Sequence, residues 1–350
     1  MAFVDIKRLL QAAAQQGASD LHIVVGRPPV LRVNGELTDT NASVVTPQEA
    51  ERAVSFLLTR EQMQRYTDEK ELDFSYQIED GTRFRINIHR EKEHAGLVAR
   101  VVPNVVPTME ELGLPPLVGR LAHLHNGLLL FTGPTGSGKS SSLAAIINYV
   151  NQNRNVHVVT LEDPIEFVFQ SEQSLIRQRQ LGVDFISFDS ALKHVVRQDP
   201  NIIMVGEMRD LETVAAAMTL AETGHLILAT LHTPSAAQTV DRIIDFFPPH
   251  QQQQMRQQLS LVLRAVVAQT LLLKVGGGRI AAREILLNTP AVANLISENK
   301  VHQIKSVIQT SAAEGMQTLD QDLKRLVTEG LVEVREASVR MISPSTLEEV

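Results

Sequence analysis

The chain has 350 residues, which is too long for one ordinary hydrophobic core and sufficient for two compact domains. Its net charge of -7 argues against a general nucleic-acid binder, because such proteins draw most of their affinity from clustered Lys and Arg. The absence of cysteine excludes disulfides, iron–sulfur clusters and thiol catalysis, and neither a secretory signal nor a membrane span is recognisable, so we expect a cytoplasmic protein.

The first part of the chain has the pattern of a small α+β domain. Residues 3 to 16 place apolar groups at helical spacing, and Asn34-Gly35 is the dipeptide of a tight hairpin. Thr46-Pro47-Gln48-Glu49 is a capping box and predicts the start of a helix. Arg83 to His89 alternates between apolar and polar residues, as a half-buried strand does. We assign residues 1–102 to this first domain.

Prolines mark the connection to the next domain, because proline fixes φ and removes a backbone donor. Four of them, at 103, 107, 115 and 116, place a linker at residues 103–118. Residues 119–289 then alternate short apolar runs with helical segments, which predicts a mostly parallel sheet covered by helices. The runs are Gly127 to Thr132, Val156 to Leu161, Ile202 to Val205 and Leu226 to Leu231. Residues 290–350 have helical spacing throughout and predict a small C-terminal bundle.

A phosphate-binding loop is the strongest functional signal. Gly133-Pro134-Thr135-Gly136-Ser137-Gly138-Lys139-Ser140 follows an apolar strand and precedes a helix, the context that this pattern requires. Its glycines allow backbone N–H groups to wrap the β-phosphate, and the helix N-terminus favours negative charge. Lys139 is expected to reach the β- and γ-phosphates and the Ser140 hydroxyl to ligate Mg²⁺. The alternative is an ordinary glycine-rich turn, which would need neither the complete motif nor a strand before it and a helix after it. We therefore predict a P-loop enzyme that binds and hydrolyses ATP.

Carboxylates follow two of the apolar runs. Glu207 comes just after the run that ends at Val205, and it is the candidate for orienting and activating the attacking water. Glu162 and Asp163 follow another run and could complete the shell of the water or of Mg²⁺, with Glu162 the stronger candidate. Acidic residues also stand at strand ends simply because they are solvated, so this alternative stays open.

Histidines and arginines complete the candidate set. His225 and His232 flank one strand and lie too far apart to share a ligand. His232, at the carboxyl end, could sense the γ-phosphate, whereas His225 has a structural hydrogen bond as its simpler explanation. Arg85 and Arg100 could supply the positive charge that phosphoryl transfer needs, although solvated strand edges explain them equally well.

Several motifs resemble those of the traffic ATPases of type IV pili and type II secretion, and within them the pilus retraction branch. The resemblance covers nearly the whole chain. Residues 162–167 are similar to the Asp box of this family. Residues 206–210, which include Arg209, are similar to its atypical Walker B motif, in which Gly replaces the usual Asp. A His box resembles residues 221–233, and residues 18–33 resemble the N-terminal PAS-like domain of the family.

The resemblance implies an α/β fold in which an N-terminal PAS-like α+β domain precedes a RecA-like P-loop ATPase domain and a small C-terminal helical bundle. It also implies a ring-shaped homo-hexamer that uses ATP and Mg²⁺ to power pilus retraction and twitching motility. The partner would be an inner-membrane platform protein, with the ring associating peripherally with the membrane and binding no nucleic acid. Family arginines matching Arg85 and Arg100 would report on the γ-phosphate.

Two departures from the family pattern bear on this interpretation. Ser141 stands where Thr is usual, directly after the P-loop. A retraction motif with two arginines appears here with Ala293 and Ser297 at the arginine positions, inside an apolar helical frame that is kept. Three alternatives therefore stay open: an accessory ATPase that acts with a paralogous motor, a type II secretion ATPase, and a RecA-type DNA motor. The acidity and the Asp and His boxes disfavour the last. The secretion ATPases usually carry a four-Cys zinc insert and a longer N-terminus.

Overall fold

The computed structural model describes residues 5–33, 35–103 and 105–341. It contains two compact units: the chain up to Val105 together with Glu166–Val168, and Val106–Ile165 together with the chain from Phe169 onward. Within the described ranges, no helix is long and apolar enough to cross a bilayer.

The first unit is an antiparallel sheet of six strands in the order β3-β2-β1-β6-β5-β4, with three helices. Its strands are β1 Asp20–Ile23, β2 Val30–Val33, β3 Glu36–Asp39, β4 Glu71–Gln77, β5 Arg83–Glu91 and β6 His94–Val102. Its helices are α1 Ile6–Gln15, α2 Pro47–Leu57 and α3 Arg60–Glu69.

Local sequence signals account for much of this first unit. The predicted hairpin forms between β2 and β3, where Val33 pairs with Glu36 and Gly35 has a φ of 88°. Asn34 itself lies outside the described residues. The capping box at Thr46 and Glu49 is present at the start of α2, as predicted. Buried and exposed residues alternate in most of β5, which confirms the strand predicted there.

The second unit is a seven-stranded sheet in the order β13-β12-β7-β11-β10-β8-β9. All neighbouring strands run parallel except the antiparallel pair β12–β13. The strands are β7 Gly127–Thr132, β8 His157–Glu162, β9 Leu175–Gln180, β10 Ile202–Val205, β11 Leu226–Leu231, β12 Leu263–Leu273 and β13 Arg279–Leu287.

Helices cover both faces of this sheet. On β7, Leu128 and Leu130 belong to one hydrophobic cluster, whereas Leu129 and Phe131 belong to another, so successive side chains are buried on opposite faces. The helices are α4 Pro116–Leu121, α5 Lys139–Asn153, α6 Phe188–Val195, α7 Leu211–Glu222, α8 Ala236–Asp245, α9 Pro249–Val262, α10 Pro290–Ser297, α11 Ile304–Thr310, α12 Leu319–Thr328 and α13 Val334–Ser338.

The four apolar runs predicted as strands are confirmed as β7, β8, β10 and β11. The expectation that only helical segments separate them is wrong between β8 and β10, where β9 lies. The sequence of β9, Leu-Ile-Arg-Gln-Arg-Gln, has four polar residues out of six and suits an edge strand, which is not fully buried and therefore lacks a continuous apolar run. The long hairpin β12–β13 was also not predicted, because β12 begins at the residue directly after α9.

Candidate functional site

The candidate residues of the second unit gather at one edge of its sheet. Strands β7, β11, β10 and β8 are consecutive neighbours and run parallel, so their carboxyl ends meet at the same edge. The phosphate loop follows β7, His232 follows β11, Glu207 follows β10 by two residues, and Glu162 ends β8. This edge is where open parallel α/β sheets bind their ligands.

The phosphate loop depends on glycine at three positions. Gly133, Gly136 and Gly138 have φ values of 137°, 78° and 87°, which favour glycine because it lacks a Cβ. Helix α5 begins directly afterwards at Lys139, with Gly138 as its N-cap, so the N-terminus of a 15-residue helix lies at the loop. Such a terminus attracts phosphate through its dipole and its backbone N–H groups.

Lys139 and the serines after it lie in the first turn of α5. The Lys139 side chain is buried and its Nζ donates to the carbonyl oxygens of Gly133 and Pro134, at 2.8 Å and 3.0 Å. The ammonium group is thus held inside the curve of the loop that would wrap a phosphate. Ser140 and Ser141 are half-buried in the same turn.

A buried glutamine that the sequence reasoning missed supports the loop from β12. The Nε2 of Gln269 donates to the carbonyl oxygen of Ser137 at 2.7 Å, and its Oε1 accepts from the Ser142 hydroxyl at 3.0 Å. The sequence signal for this role was one amide within the largely apolar sequence of β12. It could not be recognised because the strand itself was not predicted. Gln269 therefore fixes both the loop and the first helical turn after it.

Glu207 lies at the centre of a network of charged and polar side chains. One carboxylate oxygen, Oε2, lies 2.8 Å from an Arg209 nitrogen, and the other lies 3.1 Å from Nε2 of His232. The Nδ1 of His232 is 3.4 Å from the hydroxyl of Thr135 in the phosphate loop, and Arg209 also lies 3.9 Å from a carboxylate oxygen of Asp163. The structure thus joins the predicted Asp box, Walker B motif, His box and P-loop in one chain of contacts.

These contacts determine the ionisation of Glu207. Partial burial acts to raise the pKa of Glu207, but hydrogen bonds from Arg209 and His232 outweigh it and lower the pKa below its ordinary value. Glu207 is therefore ionised at neutral pH. Because a carboxylate only accepts hydrogen bonds, Nε2 of His232 carries a proton in this arrangement.

The lowered pKa of Glu207 predicts how its ion pairs respond to acid. A carboxylate with a lowered folded-state pKa stabilises the protein fully above its unfolded-state pKa, and this contribution is lost as the pH falls through the folded-state value. We expect the thermal stability advantage of the wild type over Glu207→Gln to shrink in that range. In an Arg209→Met background this loss should be smaller and complete at a higher pH, because the largest favourable contact of the carboxylate is gone and its folded-state pKa lies closer to the unfolded-state value.

Thermal unfolding midpoints measured from about pH 7 to about pH 2 test this expectation. The matched control is Arg197→Met, since Arg197 is an exposed arginine elsewhere in the second unit. An acid dependence that is the same with and without Arg209 would contradict the assignment of its ion pair with Glu207.

Glu162 is buried at the end of β8 and has its own set of partners. Its Oε1 accepts from the Thr160 hydroxyl at 2.6 Å and from Nε2 of Gln178 on β9 at 3.0 Å. These two donors hold one carboxylate oxygen in a fixed place at the sheet edge. Gln178 was not identified from the sequence, because it lies on the strand that was missed.

Glycine at position 206 has a packing reason. Its backbone N–H donates to the carbonyl oxygen of Leu161 at 2.8 Å, and a Cβ on Gly206 would lie 3.2 Å from that oxygen and 3.4 Å from Cα of Glu162. The end of β10 is thus packed closely against the end of β8. A larger residue would push Glu207 and Glu162 apart.

The remaining candidates lie away from this edge or in the other unit. His225 precedes β11 at its opposite end, and its Nδ1 donates to the carbonyl oxygen of Leu220 at 3.2 Å. In the first unit, Arg85 on β5 and Arg100 on β6 are paired in register and exposed, and Nε of Arg100 lies 2.8 Å from the buried Asp20. Asp20 thus orients one of the two arginines.

The oxygen donors at the sheet edge fit Mg²⁺ bound together with a nucleotide. Mg²⁺ prefers oxygen ligands and usually keeps several waters, so it takes few protein ligands beside the phosphates. The Ser140 hydroxyl in the first turn of α5 and the carboxylates of Glu162 and Glu207 supply such oxygens. In the described part of the chain no group of three or more His, Asp and Glu side chains could hold an ion without phosphate.

Comparison with known proteins gives a consistent result. Residues 2–277 match the family model described as "Type II/IV secretion system protein". The chain is 46% identical over 329 residues to the type IV pilus retraction ATPase PilT of Pseudomonas aeruginosa, which covers 94% of this chain and 96% of the relative. It is 39% identical over 345 residues to the type IV pilus ATPase PilU of the same organism, covering 98% and 90%.

A solved structure agrees with these relatives. The crystal structure of the pilus retraction motor PilT with bound ADP superposes with a TM-score of 0.93 at 38% identity, and the match covers 100% of both chains.

Proposed function

Because the chain belongs to the type II/IV secretion system protein family, we propose that it is an ATPase that powers type IV pilus retraction and twitching motility. The observation that carries the proposal is the chain of contacts from Thr135 of the phosphate loop through His232 and Glu207 to Arg209. It assembles the motifs of this ATPase family at one sheet edge.

We assign the chemistry to residues as follows. The phosphate loop binds the β- and γ-phosphates through backbone N–H groups, and the Lys139 ammonium moves from the loop carbonyls to the phosphate oxygens. Ionised Glu207 accepts a hydrogen bond from the attacking water and aligns it with the γ-phosphorus. His232 contacts both Glu207 and Thr135. It therefore fixes the position of the water-binding carboxylate relative to the phosphate loop. The Ser140 hydroxyl would help to hold Mg²⁺ beside the nucleotide, and the ion would supply positive charge to the phosphates.

The finer organisation is also proposed. The first unit would be a PAS-like domain, the parallel sheet a RecA-like core, and the assembly a homo-hexameric ring that docks on an inner-membrane platform protein. What supports the first assignment is the antiparallel sheet with its flanking helices. Arg85 and Arg100, exposed and paired in register, would contact the γ-phosphate, as the resemblance to the family implies.

A second candidate function is that of an accessory ATPase, and one helix favours it. In α10 the side chains of Val292 and Ile296 are fully buried, so the apolar frame of the retraction motif is kept. Ala293 and Ser297 stand at its two arginine positions, and the chain is also similar to PilU. An accessory subunit would bind ATP but depend on a paralogous motor for movement.

The proposal predicts that the purified chain hydrolyses ATP and restores twitching to a retraction-deficient strain that lacks both PilT and PilU. Lys139→Ala is expected to lower ATP affinity by about 100-fold, because it removes charge-assisted hydrogen bonds to the phosphates. It should abolish twitching. Lys274→Ala, which changes an exposed lysine between β12 and β13, should leave both properties unchanged.

The same strains separate the two candidate functions. A motor restores twitching without any paralogue, whereas an accessory subunit does so only when PilT is supplied. If the double substitution Ala293→Arg with Ser297→Arg is needed for independent rescue, the chain is a specialised paralogue. Absence of an ATPase rate that depends on Lys139 would overturn both candidates.

A further inference from the structure

Strand β12 contacts the phosphate loop with its main chain as well as with the side chain of Gln269. A Cβ added to Gly133 would lie 2.2 Å from the carbonyl oxygen of Gln269, so the two backbones are in direct contact. The Gln269 side chain, only 2% exposed, bonds both Ser137 and Ser142. The loop therefore cannot shift without moving β12 or breaking these buried hydrogen bonds.

Directly opposite Gln269 on the neighbouring strand lies Arg283, which holds a different segment. The two residues are register partners in the antiparallel pair β12–β13, so their side chains project from the same face. The guanidinium of Arg283 donates to the carbonyl oxygens of Leu112 and Gly113, at 2.7 Å and 2.8 Å. Its backbone N–H donates to Asp322 of α12 at 2.8 Å.

The segment that Arg283 holds is a compact turn in the linker. The Thr108 N–H bonds the Glu111 carboxylate at 2.8 Å, the Leu114 N–H bonds the carbonyl oxygen of Met109 at 2.9 Å, and Gly113 ends the turn with a φ of 59°. This turn comes shortly after Val105, where the chain leaves the first unit. The turn is therefore the first structural element of the second unit in chain order.

Burying an arginine here is costly, which indicates a specific role. Arg283 is 3% exposed, its Nε has no hydrogen-bond partner among the described residues, and burial lowers its pKa to about 10 although Asp322 acts in the opposite sense. An apolar side chain would fill this space without that cost. What only an arginine supplies is a rigid fork that grips two successive carbonyl oxygens.

We propose that Gln269 and Arg283 are positioning residues that transmit the conformation of the phosphate loop to the linker turn. Gln269 is hydrogen-bonded to the loop, and Arg283 is hydrogen-bonded to the turn. The nine register pairs of β12 and β13 join the two residues and move as one rigid body. The inference rests on the proposed ATPase function and specifies how a change at the nucleotide would reach the linker.

Hydrogen exchange at the linker turn tests this transmission in the full chain. The probe is a non-hydrolysable ATP analogue with Mg²⁺, and the readout is exchange at the amides of Leu112, Gly113 and Leu114, which are hydrogen-bonded within the turn. In the wild type, the analogue should change their exchange rates by about threefold or more. In Arg283→Met this response should disappear, while affinity for the analogue stays within about threefold of the wild type.

Gln269→Leu is expected to act at the other end of the path. It should weaken affinity for the analogue on the order of tenfold, because two buried hydrogen bonds are lost, and at saturation the linker response should also be lost. Arg283→Lys keeps the charge but not the fork and should give a reduced response, which keeps the test informative if Arg283→Met does not fold. The exposed positions Arg279→Met and Gln254→Leu serve as matched controls.

The outcomes separate this inference from the proposed function. A wild type that binds the analogue without any change at the linker amides overturns the transmission and leaves the ATPase standing. A response that persists in both Arg283 variants overturns it as well. A wild type that binds no ATP analogue contradicts the proposed function itself.

Discussion

Replacing Glu207 with Gln is expected to lower the ATPase rate at saturating ATP by about 100-fold or more, with little change in ATP affinity. The carboxylate is ionised and lies 3.1 Å from His232, which contacts the phosphate loop, so it is placed to accept a hydrogen bond from the attacking water. A neutral amide of the same shape keeps the packing but is a much weaker acceptor. The loss should therefore fall on the chemical step and not on binding.

Steady-state kinetics and fluorescent-nucleotide binding check this expectation. The matched control is Glu212→Gln, an exposed carboxylate in the first turn of the next helix, α7, which should keep the wild-type rate. Arg209→Met should give an intermediate loss, because Glu207 stays in place but loses its 2.8 Å partner. A Glu207→Gln rate within about threefold of the wild type would remove Glu207 from the catalytic role.

The sheet edge could be predicted from the sequence because its strands are short, buried and bounded by recognisable signals. The predicted bounds of β7, β10 and β11 agree with the structure, and each is followed by a chemically informative residue within a few positions. Parallel strands buried on both faces have continuous apolar sequences, so they are easy to recognise. Their carboxyl ends then place Glu207 and His232 at the same edge of the sheet, whereas the contact between them depends on the strand order, which the sequence does not give.

The support of the phosphate loop could not be predicted in this way. Gln269 lies on β12, which begins at the residue after α9 with no turn residue to separate them. Its contacts with Ser137 and Ser142 join residues more than a hundred positions apart, and local patterns contain no information about such pairs. The ion pair between Arg209 and Glu207 was missed for a different reason. Both residues were candidates, but only the side-chain geometry shows that they contact each other.

The contacts of the site indicate why its residues should act together. The phosphate loop is held from one side by Gln269 and is linked from the other side, through Thr135, to His232 and Glu207. A change in the loop therefore alters both its support on β12 and the position of the carboxylate. Substitutions within this set are expected to be non-additive, because each removes a partner that the others need.

Gly133→Ala should be the most damaging single-methyl substitution in the phosphate loop. The new Cβ would lie 2.2 Å from the backbone carbonyl oxygen of Gln269 and 2.7 Å from the Ser137 hydroxyl, and the φ of 137° is strained for any residue with a Cβ. Backbone atoms cannot rotate away, so β12 and the loop must separate. We expect a loss of about 3 kcal/mol in the free energy of unfolding, together with loss of tight ATP binding.

Gly136→Ala separates strain from close packing, because it changes a glycine of the same loop whose φ of 78° is also positive but whose Cβ would meet no heavy atom within 4 Å. It should cost only about 1 kcal/mol, the price of a left-handed conformation for alanine.

Chemical denaturation of both variants without nucleotide measures the difference directly, and binding of a fluorescent ATP analogue then shows whether affinity follows it. Equal destabilisation by the two substitutions would mean that the contact between the loop and β12 does not constrain the backbone, and would also weaken the case for transmission through Gln269. A gap of about 2 kcal/mol would instead locate the constraint on the phosphate loop in the main chain of β12.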